Sequence, residues 1–348
     1  ITRDLYPDFR KMQVTLSPVP LSWSSGFYSY LDSYPYGCTE QLTSRGLASL
    51  ILKGSPLPGD RDRMQKSVDL AMAVLRTRQN DEGAFGFWAA NSYVDPLQTT
   101  YGMLFLTEAK ERGQTVPDTT YRNGMQYLLS MIRRSEASLH DRAFALYVLT
   151  RNGAIHVNEL NTLIGELSAF EKKDADRARL SAMYLAATRK LMHQDKEADE
   201  LFDRSQPVFL KKWLMAGYDP VAANAAYLYL LARHFPQKFS VLGDKTMTSM
   251  MKDLRQGQFS TISAATSVLA IDSYIAMREK TGLTTDMSVI QENADGSRRP
   301  LPFAKQLFSE ANLTPGAKKL RFEAKSALPS FYQFTLAGFD KTLPAPYQ

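Results

Sequence analysis

Three features of the sequence predict an all-α fold, an α/α toroid of helical hairpins with short β segments at both ends. Prolines crowd the termini, apolar residues recur at helical spacing between them, and the punctuation separating the helical stretches is short. Of the 17 prolines, six lie in residues 1–60, six in 300–348 and only five across the long middle. Proline breaks helix interiors, so the middle is free to be helical and the ends are not.

Taken in order, Val14, Leu16 and Val19 stand between prolines and read as an extended segment. Val68, Ala71, Met72 and Leu75 then fall at i, i+3, i+4 and i+7, and Met125, Leu128, Leu129 and Ile132 repeat that spacing. Leu180, Met183, Tyr184, Ala187 and Leu191 form a third stripe, and Ile262, Ala265, Thr266 and Leu269 a fourth. The breaks at Asn80–Gly83, Gly113–Asp118, Asn152–Gly153 and Gly217–Pro220 have the length that joins antiparallel helical neighbours. The pattern amounts to about a dozen helical segments between residues 39 and 280. An open solenoid would carry a consensus at a fixed period of about 34–47 residues, and none is present. A closed ring needs only the order of the hairpins. Past residue 284, Leu320–Ala324 and Phe331–Thr335 alternate apolar and polar positions, as strands do. The expected division is an extended segment at 1–24, the toroid at 25–284 and a β-rich segment at 285–348. Two such end pieces would lean on the rest of a flanking β domain.

Composition narrows the function classes. The 348 residues carry 42 basic and 36 acidic side chains, a formal charge of +6. The basic residues occur as scattered pairs such as Arg133-Arg134, Lys211-Lys212 and Lys318-Lys319, not as the single stripe with interleaved aromatics of a nucleic-acid binder. No run of about 18 apolar residues suggests membrane insertion. The start at Ile1, with neither initiator methionine nor signal peptide, suggests a piece of a longer protein. One cysteine, Cys38, excludes an internal disulfide and is the residue to explain.

Cys38 lies in Tyr34-Pro35-Tyr36-Gly37-Cys38-Thr39-Glu40-Gln41. This segment resembles the thioester site of the alpha-2-macroglobulin and complement family, whose signature is Cys-x-Glu-Gln after a glycine. The aromatics before it and Thr43-Ser44-Arg45 after it resemble the bacterial branch. Arg78–Trp88 is similar to the family's Gly-Phe-Gly-x-Trp turn, Thr100–Lys110 to the helix that follows, and Thr261–Tyr274 to its closing helix. Ala337–Asp340 is similar to the start of the β segment beyond. The resemblance implies the thioester-containing toroid of a bacterial alpha-2-macroglobulin with pieces of flanking CUB or macroglobulin-like β domains. It further implies a protease-trapping inhibitor rather than an enzyme, in the periplasm or cell envelope, with target proteases and the parent's other domains as partners.

The chemistry follows from spacing. Residues three apart meet on one helical turn, about 5–6 Å between Cβ atoms. A Cys38 thiolate there can attack the Gln41 side-chain amide and expel ammonia to leave an internal thioester. A helix N-terminus should lower the thiol pKa, and Gly37 should give the backbone its freedom for a strained ring. Glu40 either polarises the acyl group or favours the helix start. A plainer reading makes Cys38 an inert buried thiol, or the Cys38–Gln41 pair a capping box with Cys in place of Ser. Tyr34, Tyr36, Phe85, Phe87, Trp88 and Tyr93 are either shields for the bond or ordinary core.

Complement relatives place a histidine in the loop that corresponds to Ala89–Pro96. Here that loop holds Tyr93 instead, expected to shield or orient the bond, and Asp95-Pro96 departs from the bacterial pattern. His140, His156, His193 and His234 fall on other hairpins, where they read as ordinary surface or core residues. An α/α-toroid enzyme of the cyclase, prenyltransferase or glycosidase kind would need clustered carboxylates, a zinc set or an acid/base pair. Asp60, Asp62, Asp174 and Asp176 read instead as solvated loop charges. No cofactor or metal is called for. The remaining alternatives are a cysteine hydrolase, which the all-α pattern fits poorly, and a thioester-silent binding module.

Overall fold

The computed structural model describes residues 4–55, 59–205, 219–239, 246–247, 250, 259–279, 287–304, 309–324 and 331–342. The chain separates into two compact units, Ser24–Met277 and Ile1–Trp23 together with Arg278–Gln348.

Eleven helices are present among the described residues: α1 (Leu21–Ser33), α2 (Thr39–Lys53), α3 (Arg61–Thr77), α4 (Pro96–Glu111), α5 (Asp118–Met131), α6 (Leu139–Arg151), α7 (Val157–Lys173), α8 (Ala175–Leu191), α9 (Asp195–Asp203), α10 (Pro220–His234) and α11 (Thr261–Glu279). Burial sorts them. Helices α2, α4, α6, α8, α10 and α11 are buried on nearly every side. Helices α3, α5, α7 and α9 bury a single stripe. A helix apolar all round belongs inside and an amphipathic one outside, so the sequence itself sorts inner from outer. Inner helices pack on one another in chain order, α2 on α4, α4 on α6, α6 on α8 and α8 on α10. A cavity of about 20 Å³ at their centre is lined by Tyr101, Phe144, Tyr184, Tyr229 and Ile262, from α4, α6, α8, α10 and α11. The ring closes where Thr261, at the start of α11, donates its hydroxyl to Glu40 of α2. The structure is thus an α/α toroid.

The expected stripes are present with one rotation. In α5 the buried positions are Thr120, Gly124, Tyr127, Leu128 and Met131, so Met125 and Leu129 sit at the flank. Helix α1 begins directly after Pro20, in a stretch read as extended, and its Ser- and Gly-rich sequence carries no clean period. The Lys211-Lys212 pair, residues 217–218 of the proposed turn and the boundary at 284 lie outside the described residues.

In the other unit, β1 (Lys11–Ser17) runs antiparallel between β4 (Ser309–Asn312) and β6 (Phe331–Ala337). A second sheet has the order β3 (Arg298–Pro300), β2 (Met287–Asn293), β5 (Ala317–Ala324). Val14 and Leu16 of β1, Ala311 of β4, Val289 of β2 and Leu301 form one buried cluster drawn from both sheets of this unit. The strand expectations at 320–324 and 331–335 fall inside β5 and β6, whereas β2, β3 and β4 are too short or too polar to show the alternation.

Candidate functional site

Cys38 occupies the N-cap of α2 with extended backbone, φ −66° and ψ 167°. The N-caps of α4, α6, α8 and α10 are Asp95, Ser138, Asp174 and Asp219, and each side chain accepts a backbone N–H of the first turn. Cysteine therefore stands where these helices place an ordinary oxygen cap. Its third successor is Gln41, and the pair forms a reciprocal capping box. The Cys38 N–H donates to Gln41 Oε1 at 3.0 Å. That hydrogen bond turns the glutamine amide back toward the backbone of the cysteine, so the geometry of a cap places the two residues on one helical turn.

Cys38 is 8% exposed and in no disulfide. Burial pushes its thiol pKa up, the Gln41 N–H acts against that, and the charge of Glu40 reinforces the rise. The expected lowering by the helix start is therefore overcome by desolvation. Gly37 is also not demanded by the backbone. The atoms nearest to a Cβ there would be Leu42 side-chain carbons, at 3.6 Å or more, which is ordinary contact, and its φ is not positive.

Glu40 points its carboxylate at hydroxyls. Ser44 Oγ donates to Oε1 at 2.7 Å, and Thr261 Oγ1 lies 2.9 and 2.8 Å from the two oxygens. Ser44 also meets the Tyr101 hydroxyl at 3.0 Å. Burial raises the carboxyl pKa of Glu40 against the pull of Ser44 and Thr261, and the charge of Asp219 adds to the rise.

The segment 79–94 folds over the start of α2. Gly83 has φ +89°, and a Cβ on it would approach Asn123 O to 2.2 Å, so the turn requires glycine. At Gly86 a Cβ would meet Ala89 O at 2.0 Å. The Thr39 N–H donates to Phe87 O at 2.9 Å, and Thr39 Oγ1 lies 2.6 Å from Gly86 O. This places Phe87 beside the residue that follows Cys38.

Among curated proteins, the alpha-2-macroglobulin of Rickettsia conorii is 32% identical over 355 residues, across 99% of this chain and 18% of that protein. The chain belongs to the alpha-2-macroglobulin family. The alpha-2-macroglobulin homolog of Yersinia pestis is 30% identical over 356 residues, across 98% of this chain and 18% of its own length. The chain thus spans about a fifth of the curated relatives it matches. The structure of Salmonella alpha-2-macroglobulin reacted with methylamine superposes with a TM-score of 0.73 and 21% identity, covering 99% of this chain and 23% of that one. No protein-family model matches the chain.

Around the start of α2, the aromatics divide. Phe85 is fully buried core, whereas Tyr36, Trp88 and Tyr93 are 66%, 63% and 76% exposed. Tyr93 stacks obliquely on Phe87 with ring centroids 5.8 Å apart. On the other side, Tyr30, Tyr34 and Tyr36 meet edge to face at 5.5 and 5.8 Å. Asp95 accepts from Leu97 N and Gln98 N with Pro96 in the first turn, so the departure in that loop is a helix cap.

The histidines serve elsewhere. His140 Nδ1 meets Ser181 Oγ at 3.2 Å, and burial lowers its pKa to about 3. His234 Nε2 meets the Tyr147 hydroxyl at 3.0 Å, and burial lowers it likewise to about 3. His156 heads α7, and His193 has φ 58° in the turn after α8. No group of three or more metal-ligating side chains occurs among the described residues.

Three residues that sequence reasoning left without a role meet the site. Thr39 ties the helix start to Phe87, Thr261 holds Glu40, and Arg78 joins both flanks of Cys38 to the same loop. Their signal was available only as membership of longer motifs, because each acts through a contact distant in sequence.

Proposed function

We propose that this chain is the reactive segment of a protease-trapping inhibitor of the cell envelope or periplasm. In this reading an internal Cys38–Gln41 thioester acylates lysine amines of a captured protease. The observation that carries it is the capping box at Cys38, in which Gln41 Oε1 accepts the Cys38 backbone N–H at 3.0 Å, in a chain of this family. Formation is an exchange at one carbon. The Cys38 sulfur adds to Gln41 Cδ, the thiol proton ends on the amide nitrogen, the C–N bond breaks and ammonia leaves. In trapping, a neutral amine adds to the same carbon, the C–S bond breaks, an amide forms and the Cys38 thiol is released.

The family relationship supports the partner class, and the Salmonella relative's reaction with methylamine supports the amine chemistry. The toroid-enzyme alternative gains nothing from the ring's central cavity. Its volume of about 20 Å³ holds about one water, against several hundred for a ligand site.

Intact mass of the full-length parent tests the proposal. The thioester form weighs one ammonia less than the encoded chain. Methylamine should restore that mass plus a methyl-sized increment at Gln41 and free one thiol, and Cys38→Ala should abolish uptake while keeping the fold. A parent with neither mass deficit nor uptake would leave the capping box as a cap, and the chain as a binding module.

A further inference from the structure

We propose that Arg78 is the positioning residue of the Cys38–Gln41 pair, a role that rests on the thioester reading and extends it to a group outside the motif. Arg78 caps the C-terminus of α3, forty positions from the cysteine. Its Nη1 lies 3.1 Å from Gly37 O, 3.2 Å from Thr39 Oγ1 and 3.1 Å from Phe87 O. Its guanidinium carbon stands 5.8 Å from the Trp88 ring centroid.

One nitrogen therefore contacts the residue before Cys38, the residue after it and the loop that folds across the helix start. The first two contacts hold the peptide carbonyl before Cys38 and the side chain of the residue after it. With both flanks tied, Cys38 is kept in the extended N-cap conformation that aims its side chain at the first turn. The third contact ties the loop that carries Phe87 and Trp88 to the same guanidinium. Because Gly37 is under no steric demand to adopt one conformation, the guanidinium supplies the restraint that the glycine itself does not.

A planar, always charged fork suits this task. It offers several donors in one plane and stacks a face on an indole while the donors remain engaged. Lysine would keep the charge and three donors on one nitrogen, but would lose the stacked plane. A neutral side chain would lose the charge-assisted bonds. The same positive charge acts on the thiol against burial, while the Glu40 carboxyl on α2 acts with it.

The test uses the full-length parent with Arg78→Lys and Arg78→Gln, each confirmed as folded by circular dichroism and thermal melting. The first readout is the fraction of chains lighter by one ammonia and able to take up methylamine. Arg78→Gln should lower it about tenfold, since displacement of a reacting group by about 1 Å carries penalties of that order or more. Arg78→Lys should recover most of the loss. The second readout places both substitutions on Gln41→Ala, where the thiol is free whatever the function. There Arg78→Gln should move the pH midpoint of Cys38 alkylation by iodoacetamide upward, and Arg78→Lys should leave it in place. A purely structural arginine would change melting without moving that midpoint. If Arg78→Gln matches the wild type in both readouts, the proposal is overturned. A wild-type parent with no thioester would instead sink the function above, and the alkylation profile would still decide the role of Arg78.

Discussion

Thr261 donates its hydroxyl to the carboxylate of Glu40 across 221 residues of sequence, at 2.9 and 2.8 Å from the two oxygens. This contact joins the last toroid helix to the first residues of α2, two positions after the candidate reactive cysteine. Asp219 caps α10 and accepts Ser260 N at 3.1 Å, so three inner helices meet by their N-termini at the same end. Closure of the ring and placement of the Cys38 site are thus one piece of structure.

The Glu40 carboxyl gives the first prediction. Its pKa is raised in the fold, chiefly by burial. The folded state then holds a proton that the unfolded chain has released. Stability is full below the ordinary glutamate pKa and declines as pH rises through the elevated folded value. Glu40→Gln should flatten this part of the pH–stability curve and leave the melting temperature at neutral pH equal or higher. Glu40→Ala, which strips acceptors from Thr261 and Ser44, should cost about 1–3 kcal/mol. Chemical denaturation between pH 4 and 8 checks both, and a Glu40→Gln curve parallel to the wild type would reject the assignment.

The opposite ends of the inner helices are joined by charge. Arg151 Nη2 lies 2.7 Å from Glu108 and 2.6 Å from Glu111, and the Arg151 and Glu108 side chains are 2% and 1% exposed. Arg112 bridges Glu108 to Asp272 of α11, and Arg233 of α10 reaches Glu111. Burial alone would raise the Glu108 pKa, but Arg151, Arg112 and Arg233 together hold it below the usual range. Its contribution is present above the ordinary glutamate pKa and is lost as pH falls through the depressed folded value. Arg151→Met should leave Glu108 to Arg112 and the Tyr229 hydroxyl and cost about 3 kcal/mol. Urea titration at neutral pH reads the loss, and methylamine uptake by the surviving folded fraction should be unchanged.

The helical middle and the succession of hairpins were legible because stripes such as Leu180, Met183, Tyr184 and Ala187 recur at helical spacing between short breaks, whereas which helices lie inside became visible only with their burial. Cys38 and Gln41 were legible for the same reason, since a cap and its third successor meet within one turn. What stayed hidden is what long-range contact decides. The Arg78 fork, the Thr261 hydroxyl and the glycine demanded at 83 by Asn123 O depend on partners tens to hundreds of residues away. The thiol pKa was misjudged because helix position is visible in sequence, whereas the desolvation that outweighs it belongs to the packed fold.

That elevated thiol makes a separate measurement possible. In Gln41→Ala, iodoacetamide alkylation of native Cys38 should show a pH midpoint above that of the same chain unfolded in guanidinium. The stability that goes with the raised value is full below the unfolded thiol pKa and fades as pH rises through the folded one. Coincident native and unfolded midpoints would show that burial does not govern the sulfur.

The choice of acceptor follows from which bases the site lacks. A neutral alcohol is a poor nucleophile near pH 7, and a positioned general base typically contributes about 10²–10⁴ in rate. A lysine amine needs less help once neutral. His140 faces Ser181 and Tyr184 of α8, and His234 faces Tyr147, with both pKa values near 3, so these two are engaged between inner helices. His156 heads an outer helix. Tyr93, beside Phe87 at the helix start, is 76% exposed and packs by its ring, so its hydroxyl is not held as a positioned base. Transfer should therefore favour amines over hydroxyls. Freshly activated parent offered methylamine and glycerol together should yield mostly amide at Gln41, stable to hydroxylamine. Tyr93→Phe should preserve that preference, because the ring and not the hydroxyl packs on Phe87. Products cleaved mainly by hydroxylamine would reveal a base acting at the bond and reverse the assignment of acceptor.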